Sequence, residues 1–141
     1  MQIKQITKKH DKKIADTFAH KEWKRFNEKL AYGWNTKKYT FVVSENKRII
    51  GFSSIKINGG AAYLSQLIVS RDMKGKGVGA LLLKKFEDIA KSKKCHIAYL
   101  ETSEKHKEAL KFYRNHGYKI LSKLEDNKFH LTWYFFGKKI M

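Results

Sequence analysis

The run Lys74-Gly75-Lys76-Gly77-Val78-Gly79 lies between an apolar stretch, Tyr63-Leu64-Ser65-Gln66-Leu67-Ile68-Val69, and an amphipathic one, Leu81 to Ala90. A glycine-rich turn that opens a helix leaves several backbone N–H groups unpaired and pointing the same way. The helix dipole adds positive potential at that end, so the turn suits a phosphate or pyrophosphate. Glycine lets the backbone approach an anion with no Cβ in between. No Gly-Lys-Ser/Thr ending follows, so the run is not a P-loop. Glu101 lies 22 residues after Gly79, a spacing that a dinucleotide-binding fingerprint also allows. The apparent hairpins before the turn argue against that fold.

The elements that must position this turn can be read from periodicity. Gln2 to Thr7 alternates weakly and predicts an edge strand. Between Asp11 and Leu30, the apolar residues Ile14, Phe18, Trp23, Phe26 and Leu30 recur near helical spacing, predicting one helix or two short ones. Tyr39–Ser44 and Ile49–Ile57 read as strands around the turn Glu45-Asn46-Lys47-Arg48. Asn58-Gly59-Gly60 is a hairpin signal, and Ala61–Val69 follows as the next antiparallel strand. After the glycine turn, Val78, Leu82, Phe86, Ile89 and Ala90 form one helical stripe ending near Ser92. His96–Leu100 is a short strand. A helix beginning near Ser103–Lys105 carries Ala109, Phe112, Tyr113 and His116 on one face and stops at Gly117. Tyr118–Leu124 and Phe129–Phe136 form a last strand pair. The order predicts an α/β protein: a mixed, mostly antiparallel sheet of about seven strands flanked by helices.

Length and composition set the outer limits. A chain of 141 residues that is 42% hydrophobic fits one domain, residues 1–141. No apolar run approaches the ~20 residues that span a bilayer, so no membrane role is expected. Met1 to Gln5 lacks the apolar core of a secretory signal, and the single cysteine, Cys95, fits a reducing, cytoplasmic setting. The six histidines are scattered, without zinc-ligand spacing, so no metal is expected. The net charge is +18, carried by 27 lysines against four arginines. Such a surface attracts nucleic acid, ribosomes or acidic molecules, although lysine spread along the whole chain also fits simple solvation.

With its glycine turn after the fourth strand, this element order resembles the GNAT superfamily of acyl-CoA-dependent N-acyltransferases. That family's signature is Gln/Arg-x-x-Gly-x-Gly/Ala at a helix start. Lys74 to Gly79 fits it with lysine in the first position, which keeps the charge. Ala109-Leu110-Lys111-Phe112-Tyr113-Arg114-Asn115-His116-Gly117-Tyr118 resembles the family's second pattern, A-x-x-(F/L)-Y-x-x-x-G-(F/Y). The resemblance covers about Tyr39 to Phe136.

The resemblance implies a sheet splayed between strands four and five, with acetyl-CoA as co-substrate in the gap. Leu67, Ile68 and Val69 would sit where a bulged strand receives the pantetheine arm. Lys74, Gly75, Lys76, Gly77, Val78 and Gly79 would hold the pyrophosphate, with Arg71 as a possible outlying cation. His106 stands where many members have an asparagine that contacts pantetheine. Tyr113 matches the tyrosine that protonates the departing CoA thiolate. Some members carry a base in strand four, where this chain has Tyr63. Glu101 instead matches the glutamate of ribosomal-protein and N-terminal-amine acetyltransferases, paired with a tyrosine twelve residues later. Glu22 is a second candidate base. The acceptor pocket would be lined by Trp23, Phe26, Tyr32, Trp34, Phe129, Trp133 and Tyr134, while Cys95 packs before strand five.

The expected activity is acetyl transfer from acetyl-CoA to a primary amine, by direct attack in a ternary complex. A protein N-terminus or a lysine is the first expected acceptor and a small amine the second. The charge of +18 argues against a polycation such as a polyamine, unless Glu22, Glu28 and Glu101 make a local acidic pocket. A non-catalytic acyl-CoA sensor or an RNA- or ribosome-binding module is the rival reading, and a homodimer is compatible with the family.

Overall fold

The structure is a computed structural model that describes residues 1–28 and 35–140. These fall into two compact units, Met1–Asn35 and Thr36–Met141.

The first unit is built on α1 (Lys9–Asn27). Basic Lys24 and Arg25 occupy its last turn, where they complement the negative end of the helix dipole. Trp23 and Phe26, three residues apart, meet edge to face with ring centroids 5.6 Å apart. The expected edge strand at Gln2–Thr7 is absent; residues 1–7 form no strand. Its two apolar residues, Ile3 and Ile6, are three apart, which is not the strand period of two.

The second unit holds the sheet: β1 (Lys37–Glu45), β2 (Arg48–Asn58), β3 (Ala61–Val69), β4 (Ile97–Ser103), β5 (Lys119–Leu124) and β6 (Trp133–Lys139). Two helices join its strands, α2 (Val78–Ser92) and α3 (Lys107–Asn115). The sheet among the described residues has six strands in the order β1-β2-β3-β4-β6-β5, one fewer than expected. Every neighbouring pair is antiparallel except β3 and β4.

Several boundaries differ from the sequence reading, and three of them have a clear local reason. β4 runs on to Ser103 because Glu101, Thr102 and Ser103 pair with Phe135, Tyr134 and Trp133 of β6. α3 starts only at Lys107, after His106, whose φ of −87° and ψ of 63° are not helical. β6 begins at Trp133 rather than at Phe129, because Phe129 and His130 take φ of 61° and 54° and no strand accepts that backbone. Gly117 caps α3 with φ of 87°.

The core lies between the sheet and its helices. α2 buries the stripe Val78, Leu82, Leu83, Phe86 and Ala90. It packs on Ile55, Ala62, Leu64, Ala98, Leu100 and Phe136 from the sheet, with Tyr113 of α3 and Tyr118 in the same cluster. Each fully buried Leu or Phe contributes about 1.5–3 kcal/mol, so this layer is the main source of stability. Cys95 is buried at its edge, and burial pushes its thiol pKa up.

A single extra residue in β3 decides what faces what. Leu64 pairs with Ile55 and Gln66 with Ser54, which leaves Ser65 without a partner of its own. This is a β-bulge. Before it, Ala62 and Leu64 point into the core. After it the phase reverses, and Leu67 and Val69 pack on the core cluster around Val78 and Leu82. The Ser65 hydroxyl donates to the Ser54 carbonyl at 2.9 Å and closes the bulge.

Candidate active site

β3 and β4 share only three residue pairs, Ala61 with Ile97, Ala62 with Ala98 and Tyr63 with Tyr99. Beyond them the strands diverge, so the β4-facing edge of β3 past Tyr63 has no strand partner. The gap is a cleft of about 690 Å³. Its walls are the later parts of β3 and β4, and Lys105 to Ala109 and Tyr113 close one side. A second cavity of about 430 Å³ continues to the glycine turn. Leu67, Val69, Lys74, Glu108, Ala109 and Tyr113 line both, which makes one continuous groove.

At the turn, Gly75 and Gly77 take φ of 77° and 84°, a left-handed backbone that a side chain disfavours. A Cβ at either position would point into open space, so what glycine supplies here is the conformation and a bare surface. Gly77 precedes α2, and the first intrahelical bond runs from the Leu81 N–H to the Gly77 carbonyl at 3.0 Å. The N–H groups of Val78, Gly79 and Ala80 therefore have no intrahelical acceptor. No side chain caps this end, and the first turn contains no acidic residue. The turn is thus an electropositive seat with no internal anion competing for it. Lys74 Nζ stands 4.0 Å from Glu108 Oε2 across the groove, with both side chains well exposed. Lys76 and Arg71 are exposed, and neither lines the groove.

Tyr113 sits where the two cavities meet. It is 8% exposed and packs against the rings of Phe112, Tyr118 and Phe136. Burial pushes its phenol up to about 12, so the hydroxyl keeps its proton across the physiological range.

Glu101 lies on β4 and lines the cleft from the other wall, its side chain 21% exposed. Its Oε1 accepts hydrogen bonds from Tyr63 Oη at 3.2 Å and Lys128 Nζ at 3.0 Å. Tyr63 stacks on Tyr99 with centroids 4.9 Å apart. Its hydroxyl pKa is pushed up to about 12, mainly by burial and then by the Glu101 charge. Where β3 could have offered a base, the chain thus offers a hydroxyl that holds the carboxylate. Lys128 Nζ also lies 4.7 Å from the Trp133 ring centroid, and the Trp133 indole N–H donates to the Lys128 carbonyl at 3.0 Å.

The structure brings most of the sequence-derived candidates together. Leu67, Ile68, Val69, Lys74, Glu101, His106 and Tyr113 line the cleft. Gly75, Gly77, Val78 and Gly79 line the adjoining cavity. His106 precedes α3, its Nδ1 3.2 Å from Ser103 Oγ. The expected acceptor aromatics are less unified. Tyr134 packs on the core, Phe129 is 84% exposed and Trp133 reaches Glu101 through Lys128. Trp23, Phe26 and Glu22 belong to the first unit, where Glu22 lies 4.0 Å from Arg25. Tyr32 and Trp34 lie outside the described residues.

Lys128 and the bonding role of Tyr63 were not read from the sequence. The parallel register that sets Tyr63 beside Tyr99 carries a signal for the second: Glu101, two residues on, then points to the same face. Lys128 has none, because it comes from a loop.

The arrangement offers an anion seat, an apolar channel, a buried proton donor and a hydrogen-bonded carboxylate, in that order along one groove. The acetyltransferase (GNAT) family model matches residues 10–118. Among solved structures, an acetyltransferase from Bacillus cereus superposes with a TM-score of 0.79 at 22% identity, covering 99% of this chain and 97% of that one. An aminoglycoside 6'-N-acetyltransferase complexed with coenzyme A gives 0.66 at 17% identity over 74% of this chain and 73% of that one. The ribosomal-protein-S18-alanine N-acetyltransferase of Escherichia coli gives 0.68 at 15% identity over 88% of each chain. No curated protein sequence matches this one.

Proposed function

Because this chain belongs to the acetyltransferase (GNAT) family, we propose that it transfers the acetyl group of acetyl-CoA to a primary amine by direct attack in a ternary complex. The observation that carries this reading is the single groove joining the glycine turn to Tyr113 and Glu101. The family match spans residues of both compact units and supports reading residues 1–141 as one catalytic domain.

The residues present fit acetyl-CoA. The free N–H groups of Val78, Gly79 and Ala80, beside a bare Gly75–Gly77 surface, suit its pyrophosphate. Lys74 adds charge at the groove edge, and Lys76 adds it to the field around the turn. The unpartnered edge of β3 at Leu67, Ile68 and Val69 offers backbone groups to the amides of the pantetheine arm, and His106 stands at the opposite wall.

Glu101 receives the proton that the acceptor ammonium must lose before its lone pair can attack, directly or through one water. Tyr63 fixes the carboxylate for that task. Tyr113 gives its phenolic proton, or a strong hydrogen bond, to the sulfur as the carbon–sulfur bond breaks. Its raised pKa keeps it protonated for this role at any working pH. The acceptor is a protein N-terminus or a lysine side chain. The Glu101–Tyr113 spacing supports this, and one structure sharing the fold acts on a ribosomal protein.

The test is release of the CoA thiol from acetyl-CoA against peptides with free N-termini, lysine peptides, polyamines, amino acids and aminoglycosides. An acceptor-dependent rate is expected with the peptides. A protein that fails to bind acetyl-CoA would overturn the reading.

A further inference from the structure

Lys128 is an alkylammonium on a short loop, and the structure seats it on the carboxylate that the acceptor's own ammonium must reach. We infer that Lys128 is a built-in occupant of the acceptor-ammonium site that competes with the acceptor for the Glu101 carboxylate, and that the site is shaped for a primary alkylammonium such as a lysine side chain. The inference rests on the assignment of Glu101 to the acceptor side.

Three contacts define the seat. Lys128 Nζ donates to Glu101 Oε1 at 3.0 Å and lies 4.7 Å over the Trp133 ring. Tyr63 Oη donates to the same oxygen at 3.2 Å. A carboxylate with an aromatic face beside it meets both needs of a primary ammonium: a charged acceptor and a polarisable surface along the alkyl stem. The loop holds its lysine in place. Trp133 bonds the Lys128 carbonyl at 3.0 Å, and the Asn127 N–H bonds the Leu131 carbonyl at 3.0 Å.

The seat is also exchangeable. Lys128 is 54% exposed, so its ammonium has water to return to, and the pair is weak enough to open. Glu101 Oε2 has no protein partner among the described residues. An acceptor ammonium arriving there would stand beside the Lys128 ammonium on one carboxylate. Like charges so close repel, so binding of one weakens the other whichever oxygen is used. Lys128 is therefore a positioning residue that tunes acceptor affinity through Glu101.

The test compares the wild type with Lys128→Met, which keeps the stem and removes the charge, and Lys128→Arg, which keeps the charge. In steady state, the KM for a lysine peptide should fall about fivefold in Lys128→Met, the scale of one half-exposed charged contact. The KM for acetyl-CoA should not change, and Lys128→Arg should stay near the wild type. An unchanged or raised acceptor KM in Lys128→Met overturns the inference. A second readout needs no turnover: n-butylammonium is titrated and followed at the Trp133 indole N–H resonance. Its Kd should fall about fivefold in Lys128→Met, again the scale of one exposed charge pair, and Glu101→Gln should abolish the response. Equal Kd values in wild type and Lys128→Met also overturn it. Tighter n-butylammonium binding in a protein that acetylates nothing would uphold the ammonium seat and reject the proposed activity.

Discussion

The two ends of the groove are built from different materials. The glycine-turn end is made of backbone: left-handed glycines, free N–H groups at the start of α2 and the unpartnered edge of β3. The Glu101 end is made of side chains converging from separate places, Tyr63 of β3, Glu101 of β4 and Lys128 of the loop between β5 and β6. Backbone geometry tolerates little variation and fits a ligand part that never varies, such as the pyrophosphate of the proposed co-substrate. Side chains can be exchanged while the backbone ladder stays, most freely on a loop such as the one that carries Lys128. The first end suits a constant co-substrate, and the second a partner that differs from protein to protein.

Substitutions should separate the two ends kinetically. The largest effect is expected at their junction: Tyr113→Phe should lower kcat by about 100-fold or more, the usual worth of a positioned proton donor, and leave both KM values near wild type. An unchanged rate would remove Tyr113 from the acid role. Glu101→Gln keeps the shape and loses the base, so kcat should fall by a similar ~100-fold. Unlike Tyr113→Phe, it should also alter acceptor KM. Gly77→Val forces a β-branched residue to the left-handed φ of 84°. It should raise acetyl-CoA KM by roughly tenfold and destabilise the protein by about 1–2 kcal/mol, leaving acceptor KM alone. If acceptor KM moved as much, the division between the ends would fail.

The titration of the buried tyrosines gives a smaller, global effect. Burial raises Tyr113 and, with the nearby Glu101 charge, Tyr63 to about 12, and it also raises Tyr118, whose hydroxyl is bonded to Glu87. An unfolded tyrosine loses its proton near 10, so between pH 10 and 12 the unfolded chain releases protons that the folded one retains. The stability from these hydroxyls is complete below pH 10 and is lost as pH rises through the folded values. Melting temperature should fall by roughly 5 °C or more across that window, and Tyr113→Phe should flatten the fall. Glu108→Ala should do least. The Lys74–Glu108 pair spans 4.0 Å between exposed side chains, so both KM values and stability should stay within about 0.5 kcal/mol of wild type.

The same contrast explains how much the sequence disclosed. β3 was legible to the residue, because a hairpin turn precedes it and a glycine turn follows it. α2 was legible from its stripe, and the anion seat from glycines whose spacing reflects backbone need. Tyr113 and Glu101 stood out through patterns anchored to these elements. Lys128 did not, since nothing in a polar loop among 27 lysines marks the one that will reach a carboxylate on another strand. The bulge in β3 was implied by the resemblance, at Leu67–Val69, but its place was not legible: Tyr63-Leu64-Ser65-Gln66-Leu67 reads as a continuous strand, and only pairing with β2 puts the slip of phase at Ser65. The edge strand expected at Gln2–Thr7 failed for want of a two-residue period.

The three residue pairs between β3 and β4 also bear on how this molecule opens. In its backbone pairing the sheet of the second unit has two halves, β1-β2-β3 and β4-β6-β5, stitched at one end, while α2 and the shared core bridge them. Each half closes its own backbone ladder, so in the free protein amide hydrogens of the two halves should exchange with separate opening energies. A ligand lying between them is a second stitch. If the proposed co-substrate binds there, it stabilises the folded arrangement over the opened one and would count as a structural member of the fold on which it is consumed.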